Sequence, residues 1–97
     1  MQGPQVIGRE VAQANLINQV KPVYPPEARA ARIQGVVVLQ ATIDRQGNVS
    51  NVSVVSGHPL LNEAALDAVK QWRYRPVLLN GQPTEVVTTI TLNFVFQ

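Results

Sequence analysis

The side chains able to do covalent or acid–base chemistry are few and scattered. His58 is the only histidine, set in the loop Ser56-Gly57-His58-Pro59, and the chain has no cysteine. A metal site built on one histidine would need carboxylates beside it. The next acid in sequence, Glu63, falls on the solvent side of its helix, so His58 reads as a loop residue and no metal is expected. Glu63 and Asp67 are spaced i, i+4 and share a helix face. Paired carboxylates do acid–base work only in a cleft that perturbs their pKa; on a polar stripe they form a solvated face. Ser50, Ser53 and Ser56 lie on a strand and its end. No G-x-S-x-G elbow surrounds them, and one histidine leaves little choice of base. Neither G-x-x-x-x-G-K nor G-x-G-x-x-G occurs. The expectation is a protein that is not an enzyme and takes no cofactor.

Trp72-Arg73-Tyr74-Arg75 has the residue types of a stacking and phosphate-contacting set. Trp72, however, completes an apolar helix stripe and should anchor the core, with Tyr74 and the arginines covering the rim. Those two arginines are the densest basic cluster, which does not amount to the charged face of a nucleic-acid binder. No nucleic-acid partner is expected.

These residues sit in 97 residues, enough for one domain. The chain is 45% hydrophobic and 14% charged, with 8 Lys and Arg against 6 Asp and Glu for a net charge of +2. That composition supports a core and excludes a disordered tail. No apolar run reaches the ~18–20 residues that span a bilayer, and no signal peptide is read at the start. A role outside the cytosol would therefore need a targeting segment that this sequence does not contain.

The elements follow from periodicity and punctuation. Met1 to Gln5 has no pattern and should fray. Val6, Ile7, Val11, Leu16, Ile17 and Val20 suit a lead-in, residues 1–18, extended or partly ordered on the core, with a helix over Glu10–Leu16. Residues 19–97 form the domain. Tyr24-Pro25-Pro26 imposes an extended entry. A short helix is expected over Glu27–Ile33, with proline in its first turn and Gly35 past its end. Val36–Asp44 is a strand whose Val37, Leu39, Ala41 and Ile43 form one apolar face. Asp44–Asn48 is a turn, with Gly47 available for positive φ. Val49–Ser56 returns as a strand, its apolar positions 49, 52, 54 and 55 breaking alternation, as a bulge near Asn51 would. Asn62 reads as the N-cap of a second helix, with Leu61 and Leu66 as a hydrophobic staple. Leu61, Ala65, Ala68, Val69 and Trp72 form its stripe, and it should end around Tyr74 before Pro76. Leu79–Pro83 is a turn.

The last strand, Val86–Phe96, is the most regular. Val86, Thr88, Ile90, Leu92, Phe94 and Phe96 share one face; Val87, Thr89, Thr91, Asn93 and Val95 share the other. One face is core and one is wet, as in an antiparallel sheet. The order α-β-β-α-β describes an α+β two-layer sandwich: a three-stranded antiparallel sheet with two helices on one face. The last strand carries no charge and no proline. At a sheet edge it would lack the usual protection against pairing and would either aggregate or accept an added strand. As a central strand it would be paired on both sides. The pattern leaves both placements open.

Tyr24-Pro25, Ala28, Gly35, Val37, Ile43-Asp44, Gly47, Val49, Val52, Val54 and Ser56-Gly57, taken in order, resemble the C-terminal domain of the TonB energy-transducer family. The likeness continues through Leu61, Ala64-Ala65, Ala68-Val69, Trp72-Arg73-Tyr74-Arg75-Pro76, Gly81, Val86, Ile90 and Phe94. It covers roughly Gln19 to the end.

The resemblance implies a periplasmic domain, anchored in the inner membrane by an N-terminal segment absent from this sequence and linked through it to ExbB and ExbD. It implies force-transmitting capture of the TonB box of outer-membrane TonB-dependent transporters, as in siderophore uptake, by strand addition to the last strand. Carried onto this sequence, the partner-binding residues are Val86, Val87, Thr88, Thr89, Ile90, Thr91, Leu92, Asn93 and Phe94. Lys21 and Pro22 join them from the segment before Tyr24, with Lys21 where the best-known member has glutamine. A second copy, pairing through the last strand, is a further candidate partner. The alternative is a TonB-like interaction or scaffolding domain of a membrane sensor or other fusion protein.

Overall fold

The computed structural model describes residues 5–96. The expected fraying of Met1–Gln5 thus lies, Gln5 apart, outside the described residues. In chain order the elements are β1 (Gln5–Val6), α1 (Arg9–Ala14), β2 (Leu16–Asn18), α2 (Pro26–Ala30), β3 (Gly35–Ile43), β4 (Val49–Ser56), α3 (Pro59–Lys70), β5 (Arg73–Tyr74), β6 (Leu78–Leu79), β7 (Gln82–Pro83) and β8 (Val86–Phe94).

The α+β sandwich holds. β8, β3 and β4 are antiparallel neighbours, and β1 adds a short parallel strand on the far side of β8, giving the order β1-β8-β3-β4. The core lies where the alternation placed it. Val37, Leu39, Ala41 and Ile43 of β3 are fully buried, as are Leu61, Ala65 and Val69 of α3 and Ala28 of α2. The even-numbered residues of β8 close the same core.

Several boundaries differ from expectation, each for a local reason. The second helix begins at Pro59, not after Asn62: proline occupies its first turn, and His58 is the cap, its Nδ1 accepting the Leu60 N–H at 3.0 Å. That helix ends at Lys70, not near Tyr74, because Arg73–Tyr74 leaves to pair with Leu16–Asn18. Tyr74 is therefore buried at 2% exposure and not on the rim, and desolvation pushes its phenol up to about 12. Trp72 is buried as expected, its Nε1 donating to the Val20 carbonyl at 2.8 Å.

The helix expected over Glu27–Ile33 stops at Ala30. Arg32 takes φ +57° and Ile33 N–H returns to the Ala28 carbonyl, so an arginine fills the left-handed position usually given to glycine. The first helix is likewise Arg9–Ala14, cut short where Leu16 enters β2. β3 runs one residue earlier than read, and β8 ends at Phe94, two residues before Phe96. β4 does carry the irregularity expected near Asn51, at the adjacent Ser50, and has a second one at Val55. Ser50 and Val55 are skipped in the pairing with β3.

Among the described residues, Gly47 is the glycine whose replacement the backbone forbids outright. It sits at φ +89°, and a Cβ there would lie 1.9 Å from the Tyr74 carbonyl oxygen. That approach lets the Gly47 carbonyl accept the Tyr74 N–H at 2.9 Å and ties the hairpin to β5.

Candidate peptide-binding edge

β8 pairs with β3 over nine consecutive residues, Val86 to Phe94, without a register shift. On its other side, among the described residues, it meets only β1, Gln5 opposite Val86 and Val6 opposite Val87. The Glu85 carbonyl accepts the Gln5 N–H at 3.2 Å, and the Val87 carbonyl accepts the Ile7 N–H at 2.9 Å. Odd-numbered backbone groups of this strand therefore point away from β3. Strand alternation gives the same direction to Thr89, Thr91 and Asn93. These three have no strand opposite them among the described residues.

The nine strand residues of the expected site thus fall into two sets. Val86, Thr88, Ile90, Leu92 and Phe94 are buried, their side chains in the core and their backbone groups turned to β3. They form the floor of the site and cannot bond a partner. Val87, Thr89, Thr91 and Asn93 face outward, and only Val87 is already engaged. Thr88 is the exception to an apolar floor: its hydroxyl is buried without a partner.

Lys21 and Pro22, far away in sequence, come to the same place. With Gln19, Tyr24 and Arg29 they line a recess of about 540 Å³ whose other wall is Thr91 to Phe96. Tyr24 builds it. Its ring meets Phe94 edge-on with centroids 5.7 Å apart and stacks on Phe96 at 5.1 Å, while Arg29 lies 5.6 Å over its face. Its hydroxyl donates to the Ile33 carbonyl. Phe96 is held here, beyond the strand, and does not join the core. Sequence reasoning missed Tyr24, Arg29 and Phe96 as parts of the site; the Tyr-Pro-Pro entry was the available signal.

On the other flank α1 stands beside the strand. Ala12 is buried, and Arg9 Nη1 donates to Thr91 Oγ1 at 3.4 Å. The reactive residues are dispersed: His58 caps α3, while Glu63 and Asp67 are exposed. Among the described residues no three His, Cys, Asp or Glu gather for a metal, and no helix is long and apolar enough to cross a membrane.

The geometry is that of a regular, uncharged edge with a cationic and aromatic recess at its end. The sequence profile of the Gram-negative bacterial TonB protein C-terminal family matches residues 20–96. Protein TonB of Xanthomonas campestris pv. campestris is 39% identical over 79 residues, 79% of this chain but 35% of its own length. The chain thus spans about a third of that relative. Among solved structures, the Pseudomonas aeruginosa TonB CTD, determined by solution NMR, superposes with a TM-score of 0.71 at 25% identity, over 84% of this chain and 85% of that one. The TonB2 protein of Vibrio anguillarum gives 0.60 at 32% identity, over 84% of this chain and 79% of that one.

Proposed function

The chain belongs to the TonB C-terminal family, and from that premise we propose that it is a force-transmitting module that captures an extended peptide, the TonB box of an outer-membrane transporter, as a strand added to β8. The observation that carries the reading is the run of outward backbone groups at Thr89, Thr91 and Asn93, uncharged and, among the described residues, without a strand opposite. Residues 19–97 are the binding domain in this reading and residues 1–18 its lead-in. The working site is periplasmic, with an inner-membrane anchor and the ExbB and ExbD contacts carried by parts of a longer protein.

Three residues offer one N–H and one C=O each, about six bonds. At about 0.5–1.5 kcal/mol apiece they supply roughly 3–9 kcal/mol before ordering costs. That suits reversible capture at about millimolar to micromolar strength. Bonds in parallel along one edge share a pull, so the link resists force better than its affinity suggests. The recess at Lys21, Pro22 and Tyr24 receives the peptide where it leaves the strand.

The test is a titration with a TonB-box peptide and with copies N-methylated at alternate residues. One methylation register should abolish binding and the other spare it, with amide shifts at Thr89, Thr91 and Asn93. Equal binding by both, or shifts confined to Glu63–Lys70, would reject β8 as the site and favour a scaffolding role through the helical face.

A further inference from the structure

The edge proposed to take the peptide is already partly occupied by the chain's own start. Two of the outward carbonyls, Glu85 and Val87, are held by Gln5 and Ile7. Arg9 reaches Thr91, and α1 flanks Thr89 and Thr91 across a recess of about 340 Å³. A peptide pairing along the full length of β8 needs the ground on which β1 and α1 stand.

The hold is weak and ends abruptly. β1 is two residues long, and Val6 is 80% exposed. α1 has no side-chain cap at Gly8, no basic residue in its last turn, and only Ala12 buried. Immediately afterwards the chain is fastened: the Asn15 carbonyl accepts the Arg75 N–H at 2.7 Å, Leu16 pairs with Tyr74, and the Val20 carbonyl accepts the Trp72 indole. Segments with few buried contacts open at low free energy, while their well-packed neighbours stay.

Building on the strand-capture reading, we propose that residues 5–14 are an intramolecular latch. They lie on the β8 edge in the unliganded domain and hinge away at Asn15 when a peptide docks, so that latch and peptide compete for the Glu85 and Val87 carbonyls and for the ground α1 occupies beside Thr89 and Thr91. Apparent affinity is then lowered by the fraction of molecules in which the latch is closed.

The absence of native cysteine allows a direct test. Val6 and Val87 are Cα partners on adjacent strands, within the separation a disulfide spans. The Val6→Cys/Val87→Cys protein is titrated with a TonB-box peptide, oxidised and reduced. Ile7→Pro, which deletes the N–H that bonds Val87, supplies an open form. Binding at least tenfold weaker when oxidised than when reduced, with Ile7→Pro severalfold tighter than the parent, is the expected result. Equal affinity in all three, with amide shifts at Thr89–Asn93, would overturn the latch and leave strand capture standing. No binding by any form, Ile7→Pro included, would overturn strand capture and the latch together.

Discussion

Apart from the two-residue β1, which covers only the start of β8, the sheet is bounded among the described residues by β4 and β8, and these two strands are finished differently. β4, Val49–Ser56, consists of Val, Ser and Asn, and β8, Val86–Phe94, of Val, Thr and Asn with Ile90, Leu92 and Phe94; neither carries a charge. Charge therefore protects neither. β4 departs from its partner twice, at Ser50 and Val55, and its exposed Val55 lies at one of those departures. β8 follows β3 for nine residues without a break. A bulge bends and twists a strand and spoils the even row of donors and acceptors that another strand needs. Irregularity blunts one edge; the other is left straight and covered, over its first residues, by a short piece of the chain itself. The straight uncharged edge is the one to which the proposed peptide capture is assigned.

The largest expected effect tests what supports the straight edge. Trp72 lies beneath the recess at Thr89–Thr91 and fastens the Val20 carbonyl. Trp72→Ala should lower stability by about 3–5 kcal/mol in denaturant unfolding. Trp72→Phe, which keeps most of the volume but leaves that carbonyl unpaired, should cost about 1–3 kcal/mol.

The next effect is one of pH. Tyr74 pairs with the lead-in at Leu16, and burial raises its pKa from 10.0 to about 12. The folded state holds the proton more tightly than the unfolded one. The contribution is fully present below about pH 10 and is lost as the pH rises towards 12, roughly 2–3 kcal/mol across that window. A Tyr74→Phe protein should lose the dependence, and urea titrations at pH 9, 10 and 11 read about the first half of it, roughly 1.4 kcal/mol. Identical slopes for both proteins would assign alkaline unfolding to another group.

The third contrasts the two edges directly. Thr91→Pro removes an outward N–H without touching the ladder to β3, the position at which an edge strand tolerates proline. Peptide affinity should fall at least tenfold, about 1.4 kcal/mol or more, and any self-association through β8 should fall with it. Val55→Lys, at the β4 irregularity, should leave both unchanged. Calorimetric titration and sedimentation velocity read the two; an equal loss from both variants would erase the distinction between the edges.

The smallest effect bears on neither edge and calibrates the rest. Arg32 holds a left-handed conformation at φ +57°. Arg32→Gly should raise stability by a net ~0.5–1 kcal/mol, strain relief outweighing the entropy glycine adds to the unfolded chain. Peptide binding should not move.

Alternation along one strand is a local property, so the sequence by itself determined which face each long strand turns inward: Val37, Leu39, Ala41 and Ile43 on one, Val86, Thr88, Ile90, Leu92 and Phe94 on the other. It also determined the hairpin at Gly47 and the Leu61, Ala65, Val69 and Trp72 stripe, since turn chemistry and helical spacing are local too. A boundary decided by a distant partner was not legible. Tyr74 looked like a helix end because nothing near it in sequence announces Leu16, and Asn62 looked like a cap because proline's suitability for a first turn competed unseen with it. Arg32 took the turn expected near Gly35 because the return of Ile33 to Ala28 outweighs one strained residue.

Only the tertiary structure decided what stands beside β8. Its neighbour Gln5–Val6 is two residues long, too short to show a period, and lies some eighty positions away in the chain. Lys21, Pro22 and Tyr24 met the end of the strand for the same reason: periodicity states which way a side chain points and is silent on which backbone lies alongside, because strand pairing is settled by the closure of long loops and the packing of the whole core.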